Sequence, residues 1–406
     1  MRVLFLVPYM PNAIRTRPYN LIRSLARNGH EITVLTLTQD AAEVADADML
    51  RVEGIRVVAR PLSRLRSLAN STAALVGREP LQAAYCWQSS LATDLSALLQ
   101  SEIFDVVHVE HLRGARYGLR AKADLATLGL RTPVVWDSVD CISHLFRQAA
   151  THSTNRFRRY ITRLELPRTE RFEGELLNEF DQVLTSSPMD KEALQQLANG
   201  QYEVMTPIQV LPNGVDFNRF RPDETVSSEP DTLILTGKMS YHANITMAQF
   251  LVRGIMPHIW AKKPEVRVMI VGRTPAPEVR ALAMDSRVTV TGSVPDIRLF
   301  LNQATVAVAP IVYNAGIQNK ILEAMACGTP VVTTPAAVAG LGARSGEHLL
   351  VAEGAEALAE AALVLLESQE KRQVLSAAAL AYVRKNHDWS IISEQLAVIY
   401  GSGKYP

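Results

Sequence analysis

Two doubly wound α/β domains, each built on a mostly parallel sheet, are what the sequence predicts, and three observations carry the prediction. Short continuous apolar runs such as Val3–Val7 recur along the chain with segments of helical spacing between them, the pattern of strands buried on both faces. At 406 residues the chain is too long for one core and suits two domains of roughly 200 residues each. The third observation is the run Val306–Thr334, VAVAPIVYNAGIQNKILEAMACGTPVVTT. It reads as a buried strand, a loop carrying Gly316, a short helix holding Lys320 and Glu323, a Gly-Thr-Pro stop and a second buried strand. Such a β-α-β unit sets a loop at the carboxyl end of its first strand, where open α/β sheets bind ligands.

Composition narrows the class. With 48% apolar and 20% charged residues the chain has the make-up of a globular protein, and a net charge of +1 argues against nucleic acid as the main partner. Cys86, Cys141 and Cys327 are scattered and odd in number, so neither a disulfide framework nor a zinc site is supported, and a reducing compartment is expected. The apolar start Met1–Val7 stops at Pro8 with no small-residue cleavage site, and reads as a strand rather than a leader. No apolar run approaches the ~18 to 20 residues that span a bilayer, since even Ala359–Leu366 is interrupted by Glu360. A cytoplasmic protein, or one at the inner face of the plasma membrane, is the expectation.

In order, Val3–Val7 is a strand, Pro8–Thr16 a loop and Arg17–Asn28 a helix, on the spacing of Leu21, Ile22, Leu25 and Ala26. Gly29 stops it, and Glu31–Thr38 is the next strand. The first loop has none of the glycines of a dinucleotide fingerprint, which speaks against a nicotinamide or flavin oxidoreductase. Arg15 and Arg17 beside it are candidates to meet an anion, because a guanidinium suits phosphate; solvated charges are the plain alternative. Further strands are expected at Ile55–Ala59, Val106–Val109, Val134–Trp136 and Gln182–Thr185. Glu110 and His111 would stand just past a strand end, whereas His108 lies inside the strand and reads as a core histidine. Residues Arg156–Arg171 carry six arginines against Glu165 and Glu170. That basic helix face is either a solvated surface or a peripheral contact for anionic headgroups, with the basic stretch Arg60–Arg66 as a second such feature.

Leu211-Pro212-Asn213-Gly214-Val215-Asp216 is a turn after a strand, and the polar stretch Thr225–Asp231 marks passage to a second domain. There the strands Leu233–Leu235, Val266–Val271, Val288–Thr291 and Val306–Pro310 alternate with helices Ile245–Met256 and Ile297–Gln303. Loops Gly237–Ser240, Gly272–Pro275 and Gly292–Asp296 follow the first three strands. Two such domains facing across a cleft would hold a small ligand. Ala355–Arg384 is rich in Ala and Leu at helical spacing, and His387–Tyr400 forms another helix.

The runs IVGRTPAPEVRALA, VTVTGSVPDIRLFL and AVAPIVYNAGIQNKILEAMACGTPVV, with LPNGVD and the terminal His387-Asp388-Trp389-Ser390, resemble glycosyltransferase family 4, retaining enzymes of the GT-B fold. They look nearest to the sugar transferases of bacterial exopolysaccharide clusters. The resemblance implies two Rossmann-like domains facing across a cleft, residues 1–218 for the acceptor and 219–385 for a nucleotide-diphosphate sugar. A terminal helix, 386–406, would cross back onto the first domain. Glu323 would take the ribose hydroxyls, the amides around Ile321 and Leu322 the diphosphate, and Lys238 and Lys320 its charge. The loop of Val294 would sit against the base, with Gly237, Gly316 and Arg273 completing the donor contacts. His111, or Glu110 beside it, would position the transferred sugar. The implied reaction moves a sugar to a hydroxyl of a saccharide, lipid-linked or small-molecule acceptor, with retention and with no cofactor or metal. Asp46-Ala47-Asp48 lies in an Ala-rich polar stretch and does not read as a metal site.

The chain departs from the family pattern in places. Ala315 stands eight positions before Glu323, where a first glutamate is usual; Asn12-Ala13-Ile14 replaces a glycine pair; Lys238 replaces an arginine; and Ala243, five positions on, replaces a lysine. These changes bear on the donor sugar. They leave two alternatives, a sugar-nucleotide epimerase on the same architecture and a non-catalytic nucleotide-sugar-binding protein.

Overall fold

A computed structural model of the chain describes residues 1–152, 156–198, 206–312 and 317–402. They form two compact units, Met1–Pro212 with Trp389–Pro406, and Asn213–Asp388. The division therefore falls at Pro212, before the boundary at 218 expected from the sequence.

The first unit is built on β1 (Arg2–Val7), β2 (Glu31–Thr38), β3 (Arg56–Pro61), β4 (Val106–Glu110), β5 (Val134–Val139), β6 (Gln182–Thr185) and β7 (Ile208–Val210). All pair in parallel, in the order β3-β2-β1-β4-β5-β6-β7, so the winding reverses between β1 and β4. Because side chains alternate along a strand, β1 feeds two cores. Leu4 and Leu6 pack with Val107, Val109 and Trp136 on one face, and Val3, Phe5 and Val7 with Val34, Val106 and Val135 on the other. Both faces are covered, which is why the run is apolar without interruption. The second of these cores also takes Trp389, Ile392, Leu396, Ile399 and Tyr400 from the terminal helix Trp389–Ser402. Full burial stabilises by about 1.5–3 kcal/mol for each large apolar side chain, so this helix is an integral layer of the first unit.

The second unit carries β8 (Glu229–Thr236), β9 (Arg267–Val271), β10 (Val288–Gly292), β11 (Ala304–Ala309), β12 (Val331–Thr333) and β13 (Leu350–Val351). They too are parallel, in the order β10-β9-β8-β11-β12-β13, with the reversal between β8 and β11. The run Val306–Thr334 supplies β11, the helix Asn319–Ala326 and β12, and Gly328, at φ 75°, ends the helix. The ends of this unit meet: Val215 N–H donates to His387 O at 2.7 Å.

Two helices differ from the sequence expectation. The segment read as Ile245–Met256 runs from His242 to Lys262 and widens into a π-helical turn at Leu251–Ile255. Pro257 lies in the next turn; its ring has no N–H and would clash with the carbonyl of a regular turn, which the widening avoids. The stretch Ala355–Arg384 is two helices, Ala355–Glu367 and Gln369–Asn386, and Ser368 caps the second by accepting from Lys371 N–H. The three cysteines are buried free thiols. No described helix is long and apolar enough to cross a membrane.

Candidate functional site

Three glycines set the carboxyl edge of the second sheet. Gly237 and Gly272 follow β8 and β9, and Gly292 ends β10. Gly237 N–H donates to Val271 O at 3.1 Å and Gly272 N–H to Gly292 O at 3.2 Å. A Cβ on Gly272 would lie 1.7 Å from Gly237 O, so no other residue fits without the backbones parting. Met239 N–H ties the first loop to the second through Arg273 O at 3.0 Å. The strand ends are thus glycines that meet backbone to backbone.

Asn244, on the helix after β8, joins this edge to the helix Asn319–Ala326. Its Oδ1 accepts from Lys320 Nζ at 2.8 Å, and its Nδ2 donates to Lys238 O at 3.0 Å. Lys238 itself is exposed and Lys320 half-buried. Burial pulls the Lys320 ammonium down to about 8, opposed by Glu323. Burial pushes the half-buried Glu323 carboxyl up to about 7, opposed by Arg219 and Lys320. A carboxyl that ionises near neutrality between two cations is equipped to accept from a vicinal diol, with an anion beside it. Arg219 escaped the sequence analysis, because nothing local in Val215–Phe220 points to a glutamate more than a hundred residues away in the chain.

The other residues expected here are placed as follows. Val294 is half-buried against the core, and Arg273 is half-buried on its loop. Ile321 and Leu322 turn their side chains into the core, and Ile321 N–H already donates to Gln318 O at 2.9 Å. Gly316 and Ala315 lie outside the described residues.

The first unit corrects several expectations. Arg17 is buried at 4% exposure, with Nε and Nη2 each 2.8 Å from Asp137 Oδ2. It is the internal counterion of a strand aspartate, not a loop charge awaiting an anion. Arg15 Nη1 bonds Met10 O and Glu43 Oε1, both at 3.0 Å. Glu110 does not stand at an open edge: at 1% exposure it faces inward, its Oε1 accepting from Tyr9 Oη at 3.3 Å, and burial holds its carboxyl above the usual range. His108 is the core histidine expected, with Tyr400 Oη 2.8 Å from Nδ1. His108, Glu110 and Asp137 are the one grouping among the described residues with donors for a cation, within 4.8 Å of one another. Arg17 already brings positive charge to that cluster.

His111 is half-buried at a helix start, with φ 63°, a conformation uncommon outside glycine. Burial, with Arg113 adding to it, lowers its pKa to about 3, so the ring is neutral at pH 7. Its Nδ1 accepts from Arg113 N–H at 3.3 Å, which assigns the proton to Nε2 and leaves that N–H as the donor. The same edge holds a second strained residue the sequence did not reveal. Val139, at the end of β5, has φ 65°, and Asp140 follows it with Oδ1 accepting from Ser186 Oγ at 3.1 Å. Burial and then Asp190 raise the Asp140 carboxyl to about 7. On the helix carrying the arginine-rich run, Arg168 and Arg171 pair with Glu165 and Glu175. The side chains of Arg156, Arg158 and Arg159 lie outside the described residues.

Comparison with known proteins adds the following. The model for the glycosyl transferase 4-like domain matches residues 12–214, and that for glycosyl transferases group 1 matches residues 230–368. The phosphatidyl-myo-inositol mannosyltransferase of Mycobacterium tuberculosis is 29% identical over 210 residues, 48% of this chain and 54% of that protein. That of Mycobacterium leprae is 27% identical over 199 residues, 47% of this chain and 52% of that protein. The chain spans about half the length of these curated relatives. Among solved structures, Anabaena HepE in complex with UDP aligns with a TM-score of 0.69 at 16% identity, over 99% of this chain and 100% of that one. Sucrose-phosphate synthase from Thermosynechococcus elongatus aligns with a TM-score of 0.70 at 17% identity, over 99% and 98%. These two likenesses establish a shared GT-B fold.

Proposed function

Since this chain belongs to the 4-like and group 1 glycosyl transferases, we propose that it moves a sugar from a nucleotide-diphosphate donor, bound by the second unit, to a hydroxyl of an acceptor, bound by the first. The observation that carries this reading is the grouping of Glu323, Lys320 and Arg219 beside the glycine-lined ends of β8, β9 and β10. Ionised, Glu323 accepts from both hydroxyls of a ribose. Lys320 and the exposed Lys238 neutralise the diphosphate, and the bare strand ends let phosphate approach the backbone. As the bond from the anomeric carbon to the diphosphate oxygen breaks, its electron pair stays on that oxygen and the two lysines stabilise the growing charge. The acceptor hydroxyl adds from the face the diphosphate leaves, so configuration is retained, and its proton passes to the leaving phosphate oxygen. On this reading neither a side-chain base nor a divalent cation is required. His111, neutral and carrying its proton on Nε2, offers one N–H to a sugar hydroxyl.

The relatives suggest where to begin: a mannosyl group from the mannosyltransferases, uridine from the HepE complex. Calorimetric titration with uridine, guanosine, adenosine, thymidine and cytidine diphosphates identifies the base, and Glu323→Ala is expected to weaken the tightest of these about 10- to 100-fold. Release of nucleotide diphosphate from the matching donor only when a saccharide, lipid-linked or small-molecule acceptor is present, and undiminished in EDTA, supports metal-free transfer. Epimerised sugar without acceptor would instead mark an epimerase, and tight nucleotide binding with no release across the acceptor panel a non-catalytic binder.

A further inference from the structure

We propose that Asn244 is a positioning residue for the leaving group, holding the Lys320 ammonium against the loop after β8 so that a lysine 76 positions further along the chain faces the diphosphate there. The inference rests on the reading that the second unit binds the donor diphosphate.

The loop Gly237–Tyr241 is closed on itself, since Lys238 O accepts from Tyr241 N–H at 3.0 Å. Asn244 Nδ2 donates to the same oxygen at 3.0 Å, from the first turn of the helix His242–Phe250. The amide lies against Gly237, where a Cβ would come within 2.8 Å of Nδ2 and 3.2 Å of Cγ, so a side chain at 237 would displace it. Asn244 is itself buried at 7% exposure. Chemistry fixes which way the amide is turned. A carbonyl oxygen only accepts and an ammonium only donates, so Nδ2 must face Lys238 O and Oδ1 must face Lys320 Nζ, at 2.8 Å.

A clamp serving the loop alone would need only the Nδ2 bond. The second bond, to a lysine of another helix, is what a merely structural role leaves unexplained. Ala243, beside Asn244, brings no charge to the loop, and Lys320 does. Of the three ammonium protons, Asn244 Oδ1 takes one and Gln318 Oε1, at 3.4 Å, a second. Both acceptors are neutral, so they aim the cation without cancelling it, as a carboxylate in either place would. Burial disfavours the charged form and brings Lys320 down to about 8, which makes a partner that favours the ammonium matter near neutral pH. The charged groups around it are Glu323, one turn on along its own helix, which opposes that fall, and Lys238 on the clamped loop.

The test is a double-mutant cycle on the full chain, titrated by calorimetry with the tightest of the five nucleoside diphosphates and with the matching nucleoside. Asn244→Leu, which can form neither bond, and Lys320→Met are each expected to weaken the diphosphate roughly tenfold and leave the nucleoside unchanged. The double variant should lose little more than Lys320→Met alone, because Asn244 acts through Lys320. The decline in affinity above pH 8 should move to lower pH in Asn244→Leu. Asn244→Asp keeps the shape and serves if Asn244→Leu does not fold. Its carboxylate holds Lys320 in the charged form but cancels the charge, so diphosphate affinity should fall while the decline moves to higher pH. Additive losses in the cycle, or a basic limb that stays in place in a folded Asn244 variant, make the residue structural and overturn the proposal. A wild-type chain that binds diphosphate no more tightly than nucleoside sinks the donor reading, and this inference with it. A preference for diphosphate that is present in the wild type and intact in a folded Asn244 variant sinks this inference alone.

Discussion

The two sheets follow one winding scheme, reversing at β1/β4 and at β8/β11, and treat their carboxyl edges in opposite ways. In the second unit the strand ends are glycines packed backbone to backbone, and the charged groups Lys238, Lys320 and Glu323 stand around a bare surface. In the first, Pro8 and Tyr9 occupy the equivalent of the Gly237 turn, and Arg15, Arg17 and Glu110 are held by Glu43, Asp137 and Tyr9. What remains open there is an apolar pocket. One topology thus offers a polar, close-fitting edge suited to a nucleotide and a roomier edge suited to a variable partner. The side chains at the strand ends, not the winding, decide which.

The sharpest way to break this contrast is to ask whether the first edge really holds its charges for internal use. Arg17→Met leaves Asp137 buried without its counterion, and a loss of roughly 3–5 kcal/mol in denaturant unfolding is expected. Nucleoside diphosphate affinity, measured at low temperature, should be unchanged. A variant as stable as the parent would mean that Arg17 is not an internal counterion after all. For the second edge, Glu323→Ala should weaken nucleoside diphosphate binding about 10- to 100-fold, as expected for loss of charge-assisted hydrogen bonds. The 2′,3′-dideoxy analogue should show little difference between variant and parent; a large one would detach Glu323 from the ribose.

The pH dependence of nucleotide affinity should come from the second edge. Glu323 must be ionised to accept from a diol, and its pKa stands at about 7. Affinity for a nucleoside diphosphate therefore falls as pH drops below 7, about tenfold near pH 6. Lys320, at about 8, must stay protonated, so affinity also declines above pH 8. Calorimetry from pH 6 to 9 checks both limbs, and Glu323→Gln should flatten the acidic one. The smallest expected effect belongs to the first unit. Tyr400→Phe removes the hydrogen bond to His108 Nδ1 and should lower stability by about 1 kcal/mol with nucleotide affinity unmoved.

Much of this was legible in the residues, for reasons that also mark the limit. Strands covered on both faces must be continuously apolar, so Val3–Val7 and Val134–Trp136 announced themselves. The Gly237 and Gly272 loops were found, but not that Gly272 exists to admit the Gly237 carbonyl, since that distance belongs to two strands at once. The grouping of Glu323 with Lys320 was visible because the two lie on one short helix. Its third member, Arg219, was not, nor were Asp137 beneath Arg17 and Tyr400 beneath His108. Each is joined to its partner by the fold across a long stretch of chain, which leaves no periodicity to read. Arg17 misled for the same reason: an arginine at a helix start looks alike in sequence whether solvent or a buried aspartate receives it.

The return of Trp389–Ser402 to the first unit has a consequence for how the protein is made. The second unit is in effect an insertion, its two ends joined by the Val215–His387 hydrogen bond, and all of its residues are synthesised before the last helix. The core that contains Val3 and Phe5 stays open until Trp389, Leu396 and Tyr400 arrive, so the half of the molecule synthesised first is completed last. A chain truncated near residue 388 should therefore yield a folded second unit tethered to an unfinished, apolar-faced first unit. That is the form in which a nascent chain would most need protection from aggregation.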